Sequence, residues 1–238
     1  TALEPVVMTG DPDAPGPGDW SGIVFYTGST ATLDHVDLGY AYNGLRLYPG
    51  ADVAVSNTTI HDFSGVGLQV DGDPPAGGDA PTFTDTLVTG GTGVHPVFLP
   101  FDRLAILDPS FSVTGNTNDV IRVSGGTITD FDLTLYDLGA VYSLYYCSFS
   151  GCGYAVAGPT GPTLTLSAGT VLRLPVGINV GSSASSTGHL VLEPGSTIQA
   201  HEGNNSGTIY VRDGASLTAL GTALEPVVMT GDPDAPGP

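Results

Sequence analysis

Short strand-like stretches, a glycine corner inside each repeat and a recurrence of related phrases in the low twenties predict an all-β chain folded as a parallel β-helix. Gly and Pro are too frequent and too dispersed along the 238 residues for long helices. GIVFY begins at Gly22, GLRLY at Gly44, GLQV at Gly67, GVHPV at Gly93 and DVIRV at Asp119, giving successive offsets of 22, 23, 26 and 26. GTIYV at Gly207 is a late member of the same group. A second phrase sets glycine between two strands, in LYPGADVAV, VSGGTITDF, LSAGTVLRL, LEPGSTIQA and VRDGASLTA. Such a corner needs a residue that tolerates positive φ. One coil per repeat, stacked roughly 4.8 Å from the coil before, gives about nine or ten coils.

Within these stretches the parity of the apolar residues assigns an inner face. Leu45 and Leu47, Val53 and Val55, Leu164 and Leu166, Leu172 and Leu174, Leu190 and Leu192, and Ile209 and Val211 are expected to point inward as aliphatic columns. Arg46, Arg122, Arg173 and Arg212 have the opposite parity and read as outward, solvated charges. A meandering β-sandwich is the structural alternative. It is disfavoured because the spacing is long for one strand and its turn, and hairpin signals such as Asn-Gly are sparse.

The first seventeen residues, Thr1 to Pro17, return unchanged as Thr222 to Pro238. That identity reads as one module, residues 1–221, followed by the opening of the next, residues 222–238, in a longer tandem array. Thr222, Pro226, Val227, Val228, Met229 and Thr230 are the residues expected to carry continuity between modules, in the place of Thr1 to Pro17 of a following copy. The expected partners are therefore copies of the same chain, head to tail. No polar cap is evident at either end of the solenoid.

Twenty Asp and four Glu against five Arg and no Lys give a formal charge of −19. Leaving out Glu225, Asp232 and Asp234 of the second copy, one module carries −16. An array of such modules is an acidic polyelectrolyte, a poor partner for nucleic acid and for anionic membranes. No window of eighteen uncharged apolar residues is present to cross a bilayer. An extracellular or cell-surface location is expected from the repeat, the acidity and the cysteine usage.

Two Asp/Pro/Gly loops interrupt the coils, Gly10 to Asp19 and Asp71 to Asp79. They hold Asp11, Asp13 and Asp19, and Asp71, Asp73 and Asp79, at matching offsets. These carboxylates are the candidate ligands for calcium, although neither loop has EF-hand or nonapeptide-roll spacing; otherwise no cofactor is expected. Trp20 follows the first loop and is expected to cover a core edge. Cys147 and Cys152, the only cysteines, read as a short disulfide in an oxidising compartment. Asn57 and Asn204 match the N-glycosylation pattern.

The run PVVMTGDPDAPGPGDWSGIVF, with ASLTALGTALE ahead of its second copy, resembles a recurrent phrase of tandem repeat modules in secreted and surface-attached bacterial proteins. Met8 stands where that phrase has an aromatic and Ser21 where it has Gly. PTLTLSAGTVLRL and GHLVLEPGSTIQA are similar to the closing coils of the same family. The resemblance implies a right-handed parallel β-helix of the pectate-lyase-like kind and a surface location, and it implies no activity, because that fold hosts enzymes, adhesins and passive stalks alike.

Catalytic phrases of the polysaccharide-cleaving members, a calcium-binding Asp cluster beside a basic residue or a Gly-His-Gly with paired Asp, are absent from the sequence. His35 in LDHVD and His61 in IHDF stand near acids and are the only acid–base candidates, without an accompanying nucleophile. The chain therefore reads as a non-enzymatic structural module of a fibre, stalk or sheath. The alternative is a carbohydrate-binding or carbohydrate-cleaving β-helix, for which Tyr40, Tyr42, Tyr48, Tyr142, Tyr145 and Tyr146 are candidate aromatic contacts for extracellular polysaccharide. An ice- or surface-binding face would need a regular ladder of outward Thr, and the short pairs Thr127/Thr129 and Thr163/Thr165 do not supply one.

Overall fold

In the computed structural model the chain is all-β, with 3% helix, and its strands stack in parallel as turns of a β-solenoid. The structure describes residues 4–72, 81–145, 153–200 and 207–231. These fall into two compact units, Thr1–Arg122 with Leu138–Ala140, and Val123–Asp137 with Val141–Pro238. No described helix is long and apolar enough to cross a membrane.

In the first unit the strands are β1 (Val6–Met8), β2 (Ile23–Phe25), β3 (Thr30–Asp34), β4 (Val36–Gly39), β5 (Leu45–Leu47), β6 (Asp52–His61), β7 (Leu68–Val70), β8 (Thr82–Thr89), β9 (Val97–Pro100) and β10 (Ser112–Val113). One sheet runs β1-β4-β6-β8-β10, with β3 also paired to β6, and another contains β2-β5-β7-β9. The register Ile23↔Leu45↔Leu68 follows the spacing of GIVFY, GLRLY and GLQV. GVHPV departs from it: Leu68 pairs with Val97, so Pro96 and not Gly93 falls beside Gly67 in the column. Three extra residues in the preceding turn account for the shift.

β6 and β8 are each long strands folded over a corner. His35, Asn57 and Asp85 stack there with left-handed φ of 55°, 48° and 45°, directly after the register Asp34↔Ser56↔Thr84. Asn and Asp adopt that conformation more readily than other side chains because their short polar groups bond locally. Inside the bend, Thr58 and Thr86 are buried, and each hydroxyl donates to the carbonyl two residues back, at 2.8 and 2.9 Å. A buried hydroxyl satisfied in this way avoids the desolvation cost of an unpaired one.

β11 (Val120–Ser124) straddles the sequence boundary of the two units. The second unit then contains β12 (Gly126–Ile128), β13 (Leu133–Leu135), β14 (Val141–Leu144), β15 (Tyr154–Val156), β16 (Thr163–Leu166), β17 (Val171–Leu174), β18 (Ile178–Val180), β19 (His189–Leu192), β20 (Thr197–Ala200), β21 (Ile209–Val211), β22 (Ser216–Ala219) and β23 (Val228–Gly231). Its strands form three parallel ladders, β12-β15-β18-β21, β13-β16-β19-β22 and β14-β17-β20-β23. GTIYV therefore forms β21 in a ladder of its own and does not continue the GIVFY column.

The turns number about 7, fewer than the nine or ten expected. Gly126 pairs with Tyr154 and Leu133 with Leu164, rungs 28 and 31 residues apart, so each coil here consumes more chain than the 22 to 26 residues read from the first half. Corner glycines behave as expected at Gly50, Gly169, Gly195 and Gly214, with φ of 74–82°. VSGGTITDF differs, because its Gly126 already begins a strand.

The inward parity holds. Every paired Leu and Val named from sequence between Leu45 and Leu192 is buried. Each such side chain contributes about 1.5–3 kcal/mol by leaving water. Ile209 and Val211 keep the inner register, opposite Ile178 and Val180, but lie on the last described rung of their ladder, and Val211 is 44% exposed. Two tyrosines are core residues: Tyr142 donates its hydroxyl to the Tyr136 carbonyl at 2.9 Å, and Tyr154 to that of Val123 at 2.6 Å.

Candidate functional site

Two outward clusters of polar side chains stand out in the first unit. The first grows from the sequence Ile60-His61-Asp62 at the end of β6. Asp62 has a left-handed φ of 49°, which turns its carboxylate back toward the ring before it. His61 is thereby held between two carboxylates, with Nε2 2.8 Å from Asp37 Oδ1 and Nδ1 2.8 Å from Asp62 Oδ2. Gly39 makes room for it, since a Cβ there would fall on the imidazole. Tyr40 meets the ring edge-on at 5.5 Å. Both ring nitrogens are occupied by the protein's own acids, so the imidazole is fixed in place and presents neither nitrogen to a substrate.

His35 lies on the neighbouring corner, its Nδ1 3.0 Å from Asp34 Oδ2. Asp34 Oδ1 also accepts from Ser56 Oγ at 2.7 Å and Asn57 Nδ2 at 2.8 Å. These bonds, led by Asn57 and followed by Ser56 and His35, pull the Asp34 carboxyl from its ordinary 3.8 to about 2. His35 shares a shallow open groove with Pro5, Val36, Asp37, Asn57 and Thr59. Asn57, read from sequence as a glycan acceptor, uses its amide nitrogen to tie successive corners together.

The stabilising effect of a depressed carboxyl is present above 3.8 and is lost as pH falls toward 2. Asp34→Asn should therefore flatten the loss of stability on acidification across that window, as read by denaturant midpoints at stepped pH. An unchanged slope would show that the corner ladder does not hold Asp34 ionised.

The second cluster is on the outer face of β2, β5 and β7. Tyr26 and Tyr48 stack face to face, centroids 5.1 Å apart and planes within 5°. The Arg46 guanidinium lies 4.8 Å from the Tyr48 centroid, and its Nε donates to Asp71 Oδ2 at 2.8 Å. Gln69 Nε2 donates to Asp71 Oδ1 at 2.7 Å. Arg46 is thus paired and stacked, and not the freely solvated charge that its parity suggested. Further along the unit, Arg122 Nη1 is 3.3 Å from His95 Nδ1, and burial followed by that positive charge holds His95 below the ordinary histidine range.

Comparison of the chain with protein-family models, characterised proteins and solved structures finds no match. The chemistry of the two clusters therefore rests on their geometry.

The acidic loops are engaged internally. Asp19 Oδ2 accepts the backbone N–H of Gly16 at 2.8 Å and of Asp11 at 3.3 Å, and Asp11 Oδ1 accepts that of Asp13 at 2.9 Å. Asp71 bonds to Arg46 and Gln69, away from these. Among the described residues no three His, Cys, Asp or Glu side chains are grouped to hold a metal. Asp73 and Asp79 lie outside the described residues, as do Cys147, Cys152, Tyr146 and Asn204. Chelation is expected to leave the thermal midpoint unchanged; a fall that added calcium reverses would place a structural ion in the Asp71 to Asp79 loop.

Of the remaining sequence candidates, Trp20 is half-buried and its Nε1 donates to the Gly39 carbonyl at 2.9 Å. Tyr142 is a core residue, which removes it from any surface row, while Tyr42 is 57% exposed and Tyr145 41%. Arg173 reaches Gln199 Oε1 at 3.2 Å, and Arg212 reaches Asn179 Oδ1 at 3.0 Å and covers the Tyr210 ring. Thr222 to Thr230 lead into and form most of β23, paired to β20, whereas the first copy of the segment forms β1, paired to β4. What the sequence missed was Asp37 as the second acid on His61: the two are brought together by pairing of Asp37 with Thr59, and only the register reveals it.

Proposed function

We propose that the chain is a structural module of an extracellular, repeat-built fibre, stalk or sheath, with no catalytic activity of its own. The observation that carries this reading is the unchanged return of Thr1 to Pro17 as Thr222 to Pro238, in a chain whose strands stack as solenoid turns. The engagement of both His61 nitrogens by acids supports it, since a general base needs a nitrogen within reach of a substrate proton. Immunogold labelling of source cells tests it. Label in rows along extracellular filaments is the expected result, and label confined to the cytoplasm would overturn the reading.

Purified protein should show no turnover of neutral or acidic polysaccharides in reducing-end and unsaturated-uronate assays. Turnover that disappears in His61→Ala would reassign the first cluster as an active site.

A second reading, binding of polysaccharide, is favoured by one observation, the exposed Tyr26 stacked on Tyr48 beside Arg46, Gln69 and Asp71. Flat rings next to amide and carboxylate groups suit a sugar's apolar face and its hydroxyls. The charge of −19 and the pairing of Arg46 with Asp71 point to a neutral glycan. Calorimetry with neutral oligosaccharides on the wild type and on Tyr26→Ala separates the readings; identical traces would remove this one.

A further inference from the structure

The two copies of the PVVMTG segment use opposite edges of the same strand. In the first copy, Val6 N–H donates to the His35 carbonyl at 2.9 Å, within the register Val6↔Val36 and Met8↔Leu38. In the second, Val228 N–H donates to the Ser196 carbonyl at 3.0 Å, within the register Val228↔Thr197 and Met229↔Ile198. Val6 corresponds to Val227 and Val7 to Val228. In a parallel strand, the N–H and C=O of one residue point to one neighbour and those of the next residue to the other. The groups that β1 spends on β4 are therefore those that β23 leaves open, and the reverse also holds.

The side-chain faces agree as well. Met8 lies opposite Leu38 and Met229 opposite Ile198, both partners being buried, so the same face of the segment is turned inward in each copy. At the open edges the segment is poorly covered: Val7 is 60% and Met229 54% exposed. Unpaired parallel edges with apolar side chains are templates for a further strand.

We propose that in consecutive copies one PVVMTG strand serves as a shared joint, pairing on one edge with β20 of the preceding copy and on the other with β4 of the following copy. Val228 keeps its bond to Ser196, while Val227 N–H takes the His35 carbonyl of the next copy. No donor is used twice. The ladder that ends at β23 then runs on into the sheet that begins at β4, a splice between sheets that hold different places in the coil. The proposal deepens the fibre reading and rests on it.

The full-length chain tests this joint. Val6→Pro removes the N–H that holds β1 to His35 and opens the β4 edge, so this variant should self-associate into a concentration-dependent ladder of oligomers in sedimentation velocity. The wild type, its edge covered by its own β1, should remain monomeric at the same concentrations. Adding Val227→Pro to Val6→Pro should restore the monomer, because the bond of Val228 to Ser196 is untouched while the forward donor is gone. A labelled peptide spanning Thr222 to Gly231 should bind Val6→Pro and cap its growth, and the peptide carrying Val227→Pro should bind at least about tenfold more weakly. The same peptide should enter the wild type slowly, as β1 leaves, which reads the edge even where Val6→Pro unfolds the coil.

Association undiminished by Val227→Pro, or no peptide uptake by either chain, overturns the joint. That failure leaves a fibre of modules strung on flexible chain, whereas cytoplasmic immunolabel would end the fibre reading without altering the edge pairing.

Discussion

Gly22→Ala is expected to lower the stability of the first unit by about 3 kcal/mol or more, against about 1 kcal/mol for Gly28→Ala. Both glycines have positive φ, 92° and 79°, so both substitutions carry the left-handed penalty. They differ in what surrounds them. A Cβ on Gly22 would overlap the Asn43 carbonyl oxygen of the next rung, while nothing lies within 4 Å of one on Gly28. Urea unfolding followed by fluorescence of Trp20, the single tryptophan, reads the difference as a shift in midpoint. Equal midpoints would mean that the rungs do not approach closely at the start of β2.

Phe63→Ala should cost about 3–5 kcal/mol, the range for emptying a buried aromatic site. The ring is fully buried, and it fits because its two neighbours lack side chains: a Cβ on Gly91 would overlap its edge, and one on Gly67 would lie 2.8 Å from Cε1. The backbone on both sides is pinned by pairing and cannot collapse into the space, so the cavity should persist. Phe63→Leu, which refills part of the volume, should recover more than half of the loss. A cost below about 1 kcal/mol for Phe63→Ala would show the site to be plastic.

The early part of the fold was legible because one signal, apolar alternation behind a leading glycine, is physically forced. Gly22, Gly44 and Gly67 open their phrases because the next rung passes so close that each added Cβ would meet backbone or a core side chain. GVHPV misled because it carries the composition of such a phrase with three residues too many, and alternation does not report register. GTIYV misled in another way, since a valine-rich strand looks the same in any ladder of a solenoid. At the candidate site, His61 beside Asp62 was visible in the sequence, whereas Asp37 and Thr59 meet only through pairing of β4 with β6, 22 residues apart. The Arg46–Asp71 pair was hidden for the same reason, because its partners come from a strand and a loop 25 residues away.

The pairing of short parallel strands also determines how such a unit would respond to being pulled. Tension along the stacking direction loads the few hydrogen bonds of one rung at a time, as in opening a zipper, and not all rungs together as in shear. The register Leu45↔Leu68 puts 23 residues in one rung, and releasing them yields about 75 to 80 Å of slack from a step of roughly 4.8 Å. Each yield would dissipate work at low force and leave the rungs behind it intact. Rungs clamped by aromatics, where Phe83 meets Phe111 edge-on at 6.1 Å, should give way last. Extension under load would then be graded, with the aliphatic coils acting as the compliant part and the aromatic rungs as the stop.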